Sequence, residues 1–267
     1  MRKIAVVTTF NESGMIKYGQ RMIDSFCQNW PTDVTLYVYV ENCEPKVLAN
    51  NVIIKNIFDV SDFVKFKNKW KDEPKANGVC PWPERYPKDH YKMFKWDAVR
   101  FSHKVYSIFD CAKHTDADVL IWMDADTFCH SPITMENLYN LIPENVDLGY
   151  LGRGKKWPEC GLYSMALKNK GTQKFLKAFK KAYDDAENGI FTMDEWHDSF
   201  VFEEIRKKVN PYTINWSEGI IRGEGHPLIN SQWGAYLDHL KGPRKDLGMS
   251  KKTDLVIERT ESYWKKI

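Results

Sequence analysis

The sequence predicts an α/β fold, a mostly parallel sheet flanked by helices. Short β-branched runs at 3–10, 34–40, 52–55 and 119–123 alternate with segments of helical periodicity, the pattern of parallel strands joined by crossover helices. The run Val119 to Met123 holds no polar residue, as expected of a central strand buried on both faces. It stops at Asp124-Ala125-Asp126, so two acids fall just past a strand's carboxyl end, where open α/β sheets hold their ligands.

The elements follow in order. Residues 3–10 read as the first strand, ending in Thr8-Thr9-Phe10-Asn11 without the Gly-x-Gly-x-x-Gly of a dinucleotide fold. A nucleotide there would be held by backbone along this stretch, Phe10 included, and by the Thr8, Thr9 and Asn11 side chains. Met15, Tyr18, Gly19, Met22, Ile23 and Phe26 mark the inner face of a helix entered past Asn11 and Ser13. Strands follow at 34–40 and 52–55. From Lys65 to Lys104 eleven Lys or Arg face five Asp or Glu, a local balance of +6. Within that stretch, 71–88 carries four prolines, Gly78, Trp82 and Tyr86, and reads as a long ordered loop or lid, an insertion around 65–90. A helix is predicted over 91–111, leading into the strand that ends at Asp124. Ser131-Pro132 supplies an N-cap and N1 pair for another helix. Helices at 174–187 and 194–208 are separated by Asn188-Gly189 as a stop. A second acidic triplet, Asp116-Ala117-Asp118, precedes the strand and belongs to a surface loop at the opposite end of the sheet.

With 267 residues, 43% hydrophobic and 28% charged, the chain suits a single globular domain. No apolar stretch approaches the roughly 18–20 residues of a membrane span, and the start is unlike a signal peptide, so a cytoplasmic location is expected. The six cysteines are scattered without a Cys-x-x-Cys pair, which argues against a zinc site or a secreted disulfide framework. Ten tryptophans suit a core and also a cleft that stacks on bases and sugar rings. The basic, aromatic 65–104 stretch fits a solvated face near an anionic nucleotide and keeps nucleic acid open as a partner.

An acid-x-acid triplet alone also suits a solvated turn; the apolar strand before it makes it a ligand site. Two carboxylates there repel unless a cation sits between them, and a divalent metal carrying a phosphorylated ligand is the economical partner. Two chemistries compete. In a metal-dependent glycosyltransferase the acids hold the cation against a sugar-nucleotide diphosphate. In a haloacid-dehalogenase-type phosphohydrolase, Asp124 would attack phosphorus and Asp126 shuttle the proton, with Thr127 completing the motif. A non-catalytic sugar- or nucleotide-binding protein is a third reading.

Far along the chain stands His239-Leu240-Lys241-Gly242-Pro243-Arg244-Lys245. This His-x-x-Gly-x-x-Lys pattern, with the strand-borne Asp-x-Asp, resembles family 8 glycosyltransferases, the group of glycogenin and the lipopolysaccharide galactosyltransferases. The resemblance implies the GT-A fold, a Rossmann-like nucleotide-diphospho-sugar transferase, over a single domain at 1–267. It also implies a nucleotide-sugar donor, Mn²⁺ (or Mg²⁺), and transfer with retention. It makes Asp124, Asp126 and His239 the metal ligands, with Asp124 and Ala125 also facing the donor, and puts Lys245 on the donor phosphates. Gly242 would let the backbone approach closely, and 236–267 would be a donor-closing segment. Lys104 lies where glycogenin has a donor-binding lysine, with Arg100 one turn earlier as its rival. Glu159-Cys160-Gly161 stands where the family has Asn-Ser-Gly and lines the acceptor side; only the glycine matches. Asp198, in Trp196-His197-Asp198-Ser199-Phe200-Val201-Phe202, matches the family's acid beside the reacting sugar and is the implied catalytic residue. The donor is expected to be a UDP-sugar, with guanine as the second choice of base, and the acceptor a glycan or glycoconjugate.

Overall fold

A computed structural model describes residues 2–154, 156–220 and 224–266. Strand β1 (Ile4–Asn11) runs into one continuous helix over 12–29, here α1, whose N-cap is Asn11: its side chain accepts from Gly14 N at 2.9 Å. Residues Met15–Gly19 form a π-helical turn within it. Strands β2 (Thr35–Glu41) and β3 (Val52–Asn56) follow, then α2 (Ser61–Trp70). The start of the expected 65–90 insertion is therefore helical, because Phe63, Phe66 and Trp70 recur on one buried face. The next helix, α3, covers Ala98–His114 rather than 91–111. Asp97 sets its start by accepting from Arg100 N at 3.1 Å, and Met93–Trp96 make a separate 3₁₀ turn.

Strand β4 (Val119–Met123) is buried throughout, as expected. After it come β5 (Thr127–Cys129), α4 (Met135–Leu141), β6 (Leu148–Arg153), β7 (Lys156–Ala166), α5 (Lys170–Asp184) and α6 (Asp198–Val209). Ser131-Pro132 does not cap α4; Thr134 does, in a reciprocal box with Asn137. Asn188-Gly189 lies past the end of α5. Gly189 is needed for close approach, since a Cβ there would stand 2.2 Å from Ala182 O. His197 caps α6, which ends at Asn210 in the left-handed region, φ 52°. Strands β8 (Thr213–Asn215) and β9 (Leu237–His239) and the short helix α7 (Arg244–Leu247) follow.

The main sheet has seven strands in the order β3-β2-β1-β4-β7-β6-β8. Among them β7 alone runs against the rest. Alternate residues of β1 enter two cores: Ala5 and Val7 pack with α2, α3, α5 and α6, while Ile4 and Val6 pack with α1 and α4. Both faces are thus covered. Because β7 is antiparallel to β4, its early residues meet the end of β4, with Met123 opposite Leu162. A second, two-stranded sheet pairs β5 with β9. All six cysteines are free. No helix among the described residues is long and apolar enough to cross a membrane.

Candidate functional site

The end of β4 is fixed by its neighbour. Asp124 N donates to Gly161 O on β7 (2.8 Å), and Thr127 N donates to Asp124 O (2.9 Å), which closes a tight turn carrying both acids. The β5–β9 pairing sets Thr127 opposite His239, bringing in a histidine 113 residues away from Asp126. His239 Nε2 lies 3.0 Å from Asp126 Oδ1 and 3.8 Å from Asp124 Oδ2. One ligand atom from each of the three lies within 4.8 Å of the others, and no other such cluster occurs among the described residues.

Two lysines bracket the acids. Lys245 Nζ sits 2.9 Å from Asp126 Oδ2 and 4.6 Å from the centroid of the Tyr18 ring, which the π-turn of α1 presents. Its approach follows the reversal at Gly242, whose φ of +62° favours glycine. Lys104 comes from below. It is buried, 3.1 Å from Asp124 Oδ1 and 2.6 Å from Asp198 Oδ2, and donates to Cys160 O. Trp122 Nε1 adds a donor to Asp124 Oδ1 at 2.7 Å. Lys104 is thus committed to the acids, while Arg100, exposed one turn earlier, lines the open cleft.

The charges set these groups apart. Burial raises Asp124 above the usual carboxylate range, with Lys104 opposing it. Burial acts on Asp126 in the same direction, yet His239 and Lys245 hold it well below that range. Burial works against charge on His239, and Asp126, Glu159 and Asp124 outweigh it, raising its pKa. Behind His239 lies Glu159, 4% exposed, with Lys241 Nζ at 2.9 Å and Arg153 Nη1 at 3.2 Å. Those cations overcome burial and keep its carboxyl well below the usual range. His226, edge-on to His239 at 5.0 Å, is pushed down to about 3 by burial.

The cleft holding these groups has a volume of about 530 Å³ and is also lined by Asp198, Ser199 and Gly242. Other residues expected at the site lie elsewhere. Thr8 is fully buried, Thr9 Oγ1 donates to Tyr39 O, Phe10 packs beneath Gly14 and Gly19, and Asn11 is spent as a helix cap. None of the four lines the cleft, and Ala125 is a core residue. The triplet at Asp116 and Asp118 is neutralised by Lys3 and Lys168 at the other end of β4. Sequence reasoning left out Tyr18, Arg153, Trp157 and His197. Only Glu159-Cys160-Gly161 carried a signal, and there Gly161 lies against His239: a Cβ would stand 2.5 Å from His239 Cε1 and 2.8 Å from Nδ1. Gly161→Ala is therefore expected to displace the imidazole and weaken Mn²⁺ binding about tenfold or more, as for the loss of an outer-shell support. Calorimetric Mn²⁺ titration, with circular dichroism as a fold control, checks this.

No protein-family profile matches the sequence, and no curated protein matches it in sequence. Among solved structures, mouse xyloside xylosyltransferase 1 in its apo form overlays 79% of this chain and 84% of its own, at 10% identity and a TM-score of 0.47. The apo glycosyltransferase GlyE of Streptococcus pneumoniae overlays 80% of this chain at 11% identity and a TM-score of 0.44. The apo bifunctional glycosyltransferase WbbM overlays 81% at 12% identity and 0.42. The matched region spans 45% of GlyE and 39% of WbbM, less than half of each.

Proposed function

We propose that this chain is a metal-dependent glycosyltransferase of the GT-A type, resembling family 8. It would move a sugar from a nucleotide-sugar donor, a UDP-sugar first, to a hydroxyl of a glycan or glycoconjugate, with retention. The observation that carries this reading is the convergence of Asp124, Asp126 and His239 within 4.8 Å at the carboxyl end of the central strand. Two carboxylate oxygens and an imidazole nitrogen suit Mn²⁺, with Mg²⁺ second because its preferred donors are all oxygen. When bound, the cation supplies positive charge to the departing diphosphate.

The chain's own residues account for the rest. Lys245 is one short movement from the phosphates, exchanging its contact with Asp126 for one with the donor, and the turn at 241–248 closes with it. Arg100 lines the cleft without a carboxylate partner among the described residues and adds charge to the same diphosphate. Lys104 holds Asp124 and Asp198 together, so Asp198 faces the reacting carbon in a fixed orientation. In the transfer, the acceptor oxygen bonds to the anomeric carbon as the bond from that carbon to the diphosphate oxygen breaks. The electron pair leaves with the diphosphate, whose oxygen takes the hydroxyl proton.

The phosphohydrolase reading is disfavoured on geometry. Thr127, third residue of its motif, is fully buried in the β5–β9 pair, and Asp184 of Asp184-Asp185, the downstream acid pair such an enzyme would need, is engaged with Lys180 and Tyr106 outside the cleft. With UDP-sugars and Mn²⁺ the protein is expected to release free sugar and UDP slowly, water replacing the acceptor, and to leave small phosphomonoesters intact. Product chromatography checks both arms. Phosphomonoesterase activity with a phosphoaspartate at Asp124 would reverse the conclusion.

A further inference from the structure

Beside the acids stands a wall of aromatic rings. Phe94 from the turn before α3, Phe101 on α3 and Trp157 at the start of β7 all line the cleft. Each packs on the buried imidazole of His197, with centroids 5.6, 6.1 and 5.0 Å from it. Tyr18, on the helix that follows β1, and Lys245 stand at Asp126. Asp198 and Ser199, the first residues of α6, sit at the junction between wall and acids.

The wall is held from behind. His197 is 3% exposed; its Nε2 lies 2.9 Å from Glu195 Oε2, and Phe200 N donates to its Nδ1 at 3.3 Å. Glu195 Oε1 in turn accepts from the buried Lys95 at 2.7 Å. This chain of contacts ties the 71–97 segment to the N-terminus of α6, so the rings need no ordering when a ligand arrives. Phe94 nevertheless leaves 40% of its surface exposed.

Charge narrows what such a wall takes. Among the cations lining the cleft, Lys104, Lys245, Lys241 and Arg153 are each paired to a carboxylate. Arg100 has no such pair among the described residues, and it lies near enough to act on the Tyr18 phenol, on the donor side. Among the described residues that line the cleft, a polyanion therefore meets only Arg100 uncommitted; Lys156, 5.8 Å from the Trp157 ring centroid, does not line it. A pyranose ring offers an apolar C–H face to the aromatic rings and hydroxyls to Asp198 and Ser199, and the Asp198 carboxylate keeps acceptor capacity beyond its bond to Lys104.

We propose that Phe94, Phe101 and Trp157 form the acceptor subsite and that it takes an uncharged saccharide ring, stacked so that a hydroxyl points at Asp198. This rests on the transferase reading above. The test uses the full chain with UDP and Mn²⁺, challenged with maltose, lactose and cellobiose and, separately, with glucuronic acid and a short oligonucleotide. Saturation-transfer NMR reads ring C–H contact, and calorimetry reads UDP binding. At least one neutral disaccharide is expected to bind, and Trp157→Ala to weaken it about tenfold or more. Phe94→Ala, at an exposed ring that folding does not need, should do the same. Saccharide binding unchanged in both variants, binding of only the anionic ligands, or no binding of any in a protein that still takes UDP and Mn²⁺ would overturn the subsite. Failure to bind UDP with Mn²⁺ at all would instead overturn the transferase reading and this subsite with it.

Discussion

Asp126→Asn is expected to cut Mn²⁺-dependent binding of UDP by about a hundredfold or more, exceeding the 10–100-fold loss typical of an outer-shell partner. The substitution keeps the side chain's shape and removes its charge. Asp126 sits in a turn beyond β4, its backbone carbonyl still accepting from Leu240 N at 2.8 Å, so the fold has no cause to change. What changes is the cluster. Without the Asp126 charge, His239 and Lys245 lose the negative charge that faces them at 3.0 and 2.9 Å. Asp124, which burial already pushes toward the neutral form, would be the only remaining carboxylate to face a cation. Calorimetry with and without Mn²⁺ makes the measurement. Full metal-dependent binding in a folded Asp126→Asn protein would remove the metal assignment.

How far the sequence reached depends on how local each signal is. Strand β4 and its two acids were legible because five apolar residues and a charged stop lie next to each other. The alternation of β1 to β3 with helices was legible for the same reason. Helix ends were less so, because Asp97, Thr134 and His197 cap through hydrogen bonds that many other polar residues nearby were equally able to make. His239 was found through motif resemblance alone; the three-residue strands β5 and β9 that bring it to Asp126 are too short to show periodicity. The donor roles expected of Thr8, Thr9 and Asn11 assumed side chains free at a strand end, whereas Thr9 and Asn11 are taken up by Tyr39 O and Gly14 N. The aromatic wall was illegible, since Phe94, Phe101, Trp157 and His197 come from four elements and meet only through the crossing of α3, β7 and α6. Lys104 was legible as a lysine before the strand, but not its direction: it points under the acids, where Arg100 points into the cleft.

That direction gives Lys104 the largest effect on the fold. Lys104 is 7% exposed, and its ammonium bridges Asp124 and Asp198 and donates to Cys160 O. Removing one member of a buried ion pair costs about 3–5 kcal/mol, because the remaining charge is left uncompensated. Here two carboxylates would be left facing each other. Lys104→Met keeps the stem that lies over the Trp122 and Tyr163 rings and removes only the charge. It is expected to lower Tm by roughly 10 °C at neutral pH, at about 2–4 °C per kcal/mol for a chain of this size. The pH dependence has a definite sign. Lys104 has its pKa raised because Asp124 and Asp198 outweigh burial, so its contribution is present at neutral pH and fades only above the ordinary lysine range. In the variant, Asp124, which burial already raises, loses the opposing Lys104 charge, so the folded variant gains stability as Asp124 takes up a proton. The gap to wild type should then narrow as pH falls toward about 4, the unperturbed carboxylate range. Thermal unfolding of both proteins between neutral pH and that range measures it. A gap constant with pH would mean that Lys104 supports the fold through packing and leaves Asp124 and Asp198 uncoupled.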